Sequence, residues 1–320
     1  MTRRQALAKA TVTTSDAASG LLDPQQGNAF IRKLKEKTAL ANVIRQEVRT
    51  ATSGEINKIA TGSRIIRGAT ENADDGYRAG ATFDTVGFTT RKLRLPWEVT
   101  EDVFHENIER EGLESTLMDE MTTQFALDLE DLEINGDQAD VGADAAFLNI
   151  NDGILKQIVT SPIAARNING GTINGGAGAG VLSAAHFFEA IYAMPNVYRR
   201  SGNLRWIMSP NRKISWWEQT TLRATDAGEA ALLGNGELLN RPLGIPILEV
   251  PAFPDNLILL ADPRNFVRVI SWQVRRKKVT GETDATLAAK DKRFYIFFLK
   301  HDIIIEERDA IVRLHSLAAV

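Results

Sequence analysis

The sequence predicts an α+β protein, and three observations carry that reading. Residues 113–133 repeat apolar side chains at helical spacing, the stretch 55–95 alternates and turns like one over-long β-hairpin, and residues 245–314 are a succession of short strand patterns. The helix is also acidic, with nine carboxylates and no Lys or Arg between Glu111 and Asp137.

Taken in order, residues 1–28 are rich in Ala, Ser, Thr, Gln and Gly without periodicity, which predicts an arm ordered by contacts rather than a domain. Phe30, Ile31, Leu34 and Thr38 suggest a short helix. Glu55–Arg67 leads into turn chemistry at Asn72, Asp74, Asp75, Gly76 and Gly80, and Thr82–Leu95 returns. A two-stranded ribbon of that length is marginal alone in water. With few large apolar residues near its tip, it is expected to lie on a neighbouring subunit. Its apolar positions switch from even (Val86, Phe88) to odd (Leu93, Leu95), which predicts a bulge or bend at Thr89–Arg91.

Thr100 is placed to cap a short helix through Arg110, and Gly112 breaks it. Leu113, Leu117, Met121, Phe125, Leu129 and Leu132 then form one stripe, ending at Asn135–Gly136 as a C-terminal stop. Ser183–Met194 reads as a helix ended by Pro195, Leu204–Met208 as a buried strand and Asn211–Arg223 as a helix. Strands are expected at Ile245–Val250, Leu257–Leu260, Phe266–Trp272, Arg293–Leu299, Asp302–Glu306 and Ala310–Leu314.

At 320 residues, 43% hydrophobic and net charge −3, the composition is that of an ordinary globular chain. The distribution says more. Residues 1–50 hold nine bases against four acids, a balance of +5, ahead of the acidic helix. The absence of cysteine excludes disulfides, thiolate metal sites and a Cys nucleophile. No apolar run is long enough for a membrane span, and no signal peptide follows Arg3 and Arg4, so cytoplasmic production is expected.

Candidate chemistry is thin. The loop Gly175–Gly180 precedes an apolar helix and invites a nucleotide-binding reading, but the strand that should precede such a fingerprint is missing and the third glycine falls one residue early. A surface loop is expected. His105, His186, His301 and His315 lack metal-ligand spacing, His186 and Glu189 being the nearest pair with a carboxylate, and all are read as helix-face or solvated side chains. Ser209, Ser215 and Ser271 lack a nucleophile-elbow setting. The helix carboxylates are expected to fan around a solvated or partner-facing surface, and Arg275–Lys278 to sit in an exposed loop. No catalytic, cofactor-binding or metal residue is assigned.

Four stretches in order resemble the major capsid proteins of tailed bacteriophages, the Hong Kong 97 phage fold, over about residues 30–318. They are the hairpin followed by PWEVTEDVFHENIEREGLESTLMDEMTTQFALDLEDLEINGD; MPNVYRRSGNLRWIMSPNRKISWWEQ, with Pro195, Tyr198, Arg199, Trp206, Met208, Ser209 and Pro210; LLNRPLGIPILEVPAFP, with Leu243, Gly244, Pro246, Ile247 and Pro254; and ILLADPRNFVRVI, with Ala261, Asp262 and Phe266. The resemblance implies an N-terminal arm over 1–50 and an extended loop hairpin over 51–95. It implies a peripheral domain over 96–150 and 264–300 with a spine helix 113–135, and an axial domain over 151–263 and 301–320.

It further implies a shell subunit without catalysis or cofactor, assembling with itself as pentamers and hexamers around packaged DNA read without sequence specificity, in the virion after assembly in host cytoplasm. Portal, separate scaffolding and decoration proteins are the further partners implied, with no membrane. Because the loop from Ile59 to Arg91 contains no lysine, association without covalent crosslinks is expected. An encapsulin-like compartment shell is the first alternative, and a nucleotide-dependent enzyme using Gly175–Gly180 the second. On charge alone, the basic arm is suited to pair with the acidic helix between subunits. The competing account has helix carboxylates such as Glu130 and Glu133 face DNA.

Overall fold

The computed structural model describes residues 11–12, 38–61, 65–68, 71, 76–78, 80–106, 112–160, 166–173, 180–221, 241–280 and 285–318. In chain order its elements are β1 (Thr11–Val12), β2 (Arg45–Val48), β3 (Ser53–Thr61), β4 (Ala81–Thr89), β5 (Arg91–Thr100), α1 (Glu101–Glu106), α2 (Leu113–Asn135), α3 (Ala145–Leu148) and α4 (Ile154–Thr160). There follow β6 (Asn167–Asn169), α5 (Ala184–Ala193), α6 (Asn196–Arg199), β7 (Arg205–Met208), α7 (Pro210–Thr221), β8 (Ile247–Glu249) and β9 (Ile258–Ala261). The chain ends with β10 (Phe266–Val279), α8 (Ala285–Ala288), β11 (Lys292–Ile305) and β12 (Val312–His315). The strands form one sheet in the order β1-β5-β11-β10-β2, a second in the order β6-β12-β9-β7-β8, and the separate ribbon β3-β4.

The first sheet carries α2. On β5 and β11, which pair antiparallel from Arg91–His301 to Thr100–Lys292, the odd-numbered side bears Leu93, Trp97, Val99, Tyr295, Phe297 and Leu299. Leu113, Leu117 and Met121 of α2 pack on Trp97, Val99, Tyr295 and Phe297, and Phe125, Leu129 and Leu132 pack on Leu93, Ile270 and Leu299. The apolar stripe read from the sequence is thus the buried seam of the helix. Trp97 stacks on Tyr295 at 5.3 Å and meets Phe297 edge-on at 4.9 Å.

The second sheet carries α5 and α7. Phe187 of α5 sits at the centre of its core, edge-on to Trp206 of β7 at 4.8 Å and to Trp216 of α7 at 4.7 Å. A further core, including Leu40, Ile134, Ile154, Ile207, Leu259, Phe266 and Ile303, joins residues of both sheets and of the end of α2.

Several elements differ from expectation for identifiable reasons. The helix after Thr100 is described only as Glu101–Glu106, and the Thr100 hydroxyl has no hydrogen-bond partner. The first helical amide, Glu101 N–H, donates instead to Asp291 O at 2.9 Å. Gly136 does end α2, but at φ −54 it is not a left-handed stop. A Cβ there would lie 2.6 Å from Leu132 O and collide with Asn151 O, so glycine is required by close approach of the 151–153 turn, where Gly153 N–H donates to Gly136 O at 2.8 Å.

The expected strands Arg293–Leu299 and Asp302–Glu306 are one strand, β11, because His301 and Asp302 are buried polar residues inside it rather than a break. Arg275–Lys278 lie in β10, not in a loop, paired with Phe298 through Tyr295. Expected helix residues Phe30, Ile31 and Leu34 lie outside the described residues, as do residues 175–179 of the glycine loop.

Candidate assembly interface

The ribbon is the first feature built for contact. β3 and β4 pair over nine residues each, in the register Ile56–Val86 and Ile59–Phe83. Directly opposite residues share a face, and faces alternate along each strand. One face therefore carries Ile56, Val86 and Phe88, which pack on Val267, Val269 and Ile304 of the body. The other carries Ile59 and Phe83, which are 70% and 75% exposed. Beyond them Ile65 and Ile66 are also exposed. The base of the ribbon thus rests on its own chain, while Ile59 and Phe83 farther out are uncovered by described residues.

That base is a polar hinge. The return arm bends at the predicted place: β4 ends at Thr89 in the ribbon and β5 begins at Arg91 in the first sheet. Buried Thr90 between them donates N–H and hydroxyl to Thr52 O, both at 2.8 Å, and its hydroxyl oxygen accepts from Ser271 Oγ at 2.9 Å. Buried Asp302 accepts from Thr89 N–H and Asn151 Nδ2, both at 2.7 Å, and from Ile303 N–H at 2.9 Å. Burial pushes its carboxyl above the usual aspartate range despite those donors. Lys58 of β3 adds a hydrogen bond to Glu306 O at 2.6 Å and lies 3.5 Å from Glu307.

The even-numbered side of β11, on which the ribbon stands through Ile304, stays open farther along. It presents Lys300, Phe298, Ile296 and Phe294, half-buried, beside exposed Lys92 and Arg94 of β5 and exposed Lys277 of β10. The Lys92 ammonium lies 4.3 Å from the centre of the Phe298 ring. This face is both basic and apolar.

The opposite side, along α2, is less uniformly charged than its sequence. Glu133 is fully buried; Arg268 donates to it through Nε at 2.5 Å and Nη2 at 2.6 Å, and His301 Nε2 lies 2.8 Å away. Burial pushes this carboxyl up, but its hydrogen bonds and charge pairing with His301 and Arg268 more than offset that and hold it below the usual range. Glu130, also buried, accepts from Leu40 N–H at 2.9 Å, and burial pushes it above the usual range. Glu114 pairs with Lys278 at 2.7 Å and Arg293 at 3.2 Å, and Asp137 with Lys156 at 2.9 Å. Neither Glu130 nor Glu133 can face DNA or a partner, which corrects the expectation that the carboxylates fan over an open surface.

The histidine expectation is corrected likewise. His186 and His301 are buried, and His186 Nδ1 accepts Ser183 N–H at 3.2 Å while Nε2 meets Gly170 O at 3.1 Å. His186 therefore closes the start of α5, and Glu189 faces away, exposed. Ser209 hydrogen-bonds Asp255 and accepts Arg212 N–H at 3.2 Å, a cap for α7. Among the described residues no group of His, Asp or Glu could hold a metal, and no helix is long and apolar enough to cross a membrane.

The second and third stretches that carried the resemblance, and the start of the fourth, meet in the second sheet. Trp206 Nε1 donates to Pro242 O at 3.1 Å, and Ser201 Oγ to Asp262 at 2.8 Å. Leu243 and Gly244 turn between them with φ of 54 and 81. Residues 18–315 match the profile of the phage capsid family. The chain belongs to that family. It is accordingly a major capsid protein of the tailed-phage or prophage head shell, a structural polypeptide and not an enzyme.

This capsid protein is 27% identical over 332 residues to YqbE of Bacillus subtilis (strain 168), described as a prophage capsid protein, with 98% of each chain covered. Its fold is similar to the capsid of a native GTA particle, with TM-score 0.65, 17% identity, and 93% and 96% of the two chains covered. The Microbacterium phage Oxtober96 structure gives 0.63, 15%, and 94% and 98%. The satellite phage P4 procapsid with its size determination protein gives 0.62, 13%, and 88% and 95%.

Proposed function

We propose that this capsid protein builds its shell by laying the distal ribbon of one copy across the open face of the first sheet of the next, in pentamers and hexamers held without covalent crosslinks. In this reading the first sheet with α2 is the peripheral domain and the second sheet with α5 and α7 the axial domain, enclosing DNA without sequence specificity. Portal, scaffolding and decoration proteins complete its partners, and assembly takes place in host cytoplasm.

The observation that carries the reading is the exposed Ile59–Phe83 pair. It is a cross-strand apolar pair left exposed by the described residues, on a ribbon too narrow to be stable by itself. The basic, apolar face around Phe298 and Lys92 is suited to receive it. Negative-stain microscopy of the expressed chain tests this. Wild type should form uniform shells, and the double variant Ile59→Ser, Phe83→Ser should remain folded by circular dichroism yet yield none. Undiminished shells from the variant would refute the ribbon's role.

A further inference from the structure

The ribbon is tied to the body in two ways. At its base Ile56, Val86 and Phe88 rest on Val267, Val269 and Ile304, an apolar contact that resists separation but is non-directional and tolerates tilt. The next pair along the same face is Lys58–Asp84, directly opposite in the register and 3.6 Å apart as an ion pair. Here the ribbon has parted from the body: a cleft of about 410 Å³ opens between Asp84–Gly87 on one wall and Gln157 with residues 304–308 on the other.

Lys58 spans that cleft. Its ammonium donates to Glu306 O at 2.6 Å and lies 3.5 Å from the Glu307 carboxylate. The far side of the span is held firmly by the body itself. Glu307 N–H donates to Asn265 Oδ1 at 2.7 Å, Asn265 Nδ2 donates back to Glu307 O at 2.6 Å, and the Glu307 carboxylate accepts Asp309 N–H at 3.3 Å. Arg45 occupies the Glu306 carboxylate at 2.7 Å, which leaves the carbonyl to the lysine. Charge-assisted hydrogen bonds are directional where apolar contact is not. Exposed ion pairs add little to folding stability, so this tie selects an orientation without governing the fold.

Orientation matters because the ribbon is a lever. From Thr90 to Phe83 the strand climbs roughly 23 Å, so a tilt of about 10° at the hinge shifts the Ile59–Phe83 pair by roughly 4 Å. That is a whole side-chain contact distance. We infer that Lys58 is a positioning residue for assembly: it braces the ribbon across the cleft and fixes the tilt at which Ile59 and Phe83 reach the next copy. The inference rests on the ribbon reading above and adds a brace that acts within one chain.

The absence of cysteine allows spin labels at chosen positions. Ala81→Cys on the exposed outer ribbon and Val159→Cys on α4 are labelled in the Ile59→Ser, Phe83→Ser background and diluted with unlabelled chain, so that one chain's own distance is read free of neighbours. Pulsed electron paramagnetic resonance should give one narrow distance with Lys58 or Lys58→Arg. Lys58→Met should lose it to a broad distribution while circular dichroism and melting temperature stay unchanged. Glu307→Gln, which keeps an acceptor for Asp309 N–H but drops the charge, should broaden it as well. A narrow distance in Lys58→Met would overturn the brace. With Ile59 and Phe83 restored and no labels, Lys58→Met should give shells of mixed diameter or none by negative stain, and Lys58→Arg uniform ones. Wild-type shells from Lys58→Met would overturn the role in assembly. Either failure beside normal wild-type shells removes this inference alone, whereas undiminished shells from Ile59→Ser, Phe83→Ser remove the ribbon reading and the consequence for assembly with it.

Discussion

Glu133 shows how a charge can be structural inside a surface that reads as solvated. It sits four residues after Leu129, so helical spacing places it on the apolar stripe, a signal available in the sequence. What the sequence withheld was its partners, because Arg268 and His301 are 135 and 168 residues away and come together only when β10 and β11 pair. Removing the carboxylate strands a buried guanidinium, so Glu133→Gln should cost about 3–5 kcal/mol in denaturant unfolding of the subunit. Asp119→Asn, at an exposed position of the same helix, should change stability by less than about 0.5 kcal/mol. Asp302 predicts a pH effect of defined sign. Its folded value lies above its unfolded one, so its contribution is fullest below the unfolded value and is lost as pH rises through the folded value. Asn at 302 does not titrate. The melting temperature of Asp302→Asn relative to wild type should therefore rise from about pH 4 to pH 7; a falling difference would show that the carboxylate is better accommodated charged than neutral.

Elements were more legible than contacts. The stripe of α2, the strand Arg205–Met208 and the helices α5 and α7 follow from spacing and caps, which act within a few residues. The switch of parity in the ribbon's return arm also located the bend at Thr90, since a one-residue change of face must be taken up by the backbone. Reasons that depend on distant backbone were not legible. Gly136 looks like an ordinary helix stop in the sequence, yet its φ would suit any residue, and close approach of Asn151 O and Leu132 O is what forbids one. Gly136→Ala should accordingly destabilise the subunit by about 1–3 kcal/mol, as overpacking does, in place of the small gain that Gly→Ala brings at an open position with negative φ. Thermal unfolding distinguishes the two signs. The basic run Arg275–Lys278 was misplaced in a loop for a similar reason: charge suggests exposure, but β2 pairs with β10 only over Val267–Ile270, and past that point the strand has an open side that tolerates Lys.

Across the whole molecule, charge is divided by the first sheet. Of the nine carboxylates between Glu111 and Asp137, two are buried and Glu114 and Asp137 are paired within the chain, so the helix offers a neighbour far less charge than its sequence suggests. The arm is reduced too, because Arg45 and Arg49 pair with Glu47 and Glu306. The other seven bases of residues 1–50 lie outside the described residues, so Arg45 and Arg49 are the two whose charge is seen to be answered within the chain. On the even-numbered sheet face, Arg94 and Lys277 form no ion pair with described residues, and Lys92 and Lys300 are cross-strand neighbours. In the sequence between the ribbon strands, Glu71, Asp74 and Asp75 are grouped together, with Arg64, Arg67 and Arg78 on either side. If ribbon and face meet between copies, shell yield should fall as salt rises from about 0.1 to 1 M, where the screening length shrinks from roughly 10 to 3 Å. The variant Lys92→Gln, Arg94→Gln, Lys277→Gln should assemble less well at low salt and respond little to added salt, because its attraction is already removed. Deleting residues 1–28 should leave the salt response largely intact. Light scattering during assembly reads all three curves, and a triple variant that follows the wild-type curve would show that the apolar pair Ile59–Phe83 works without help from charge.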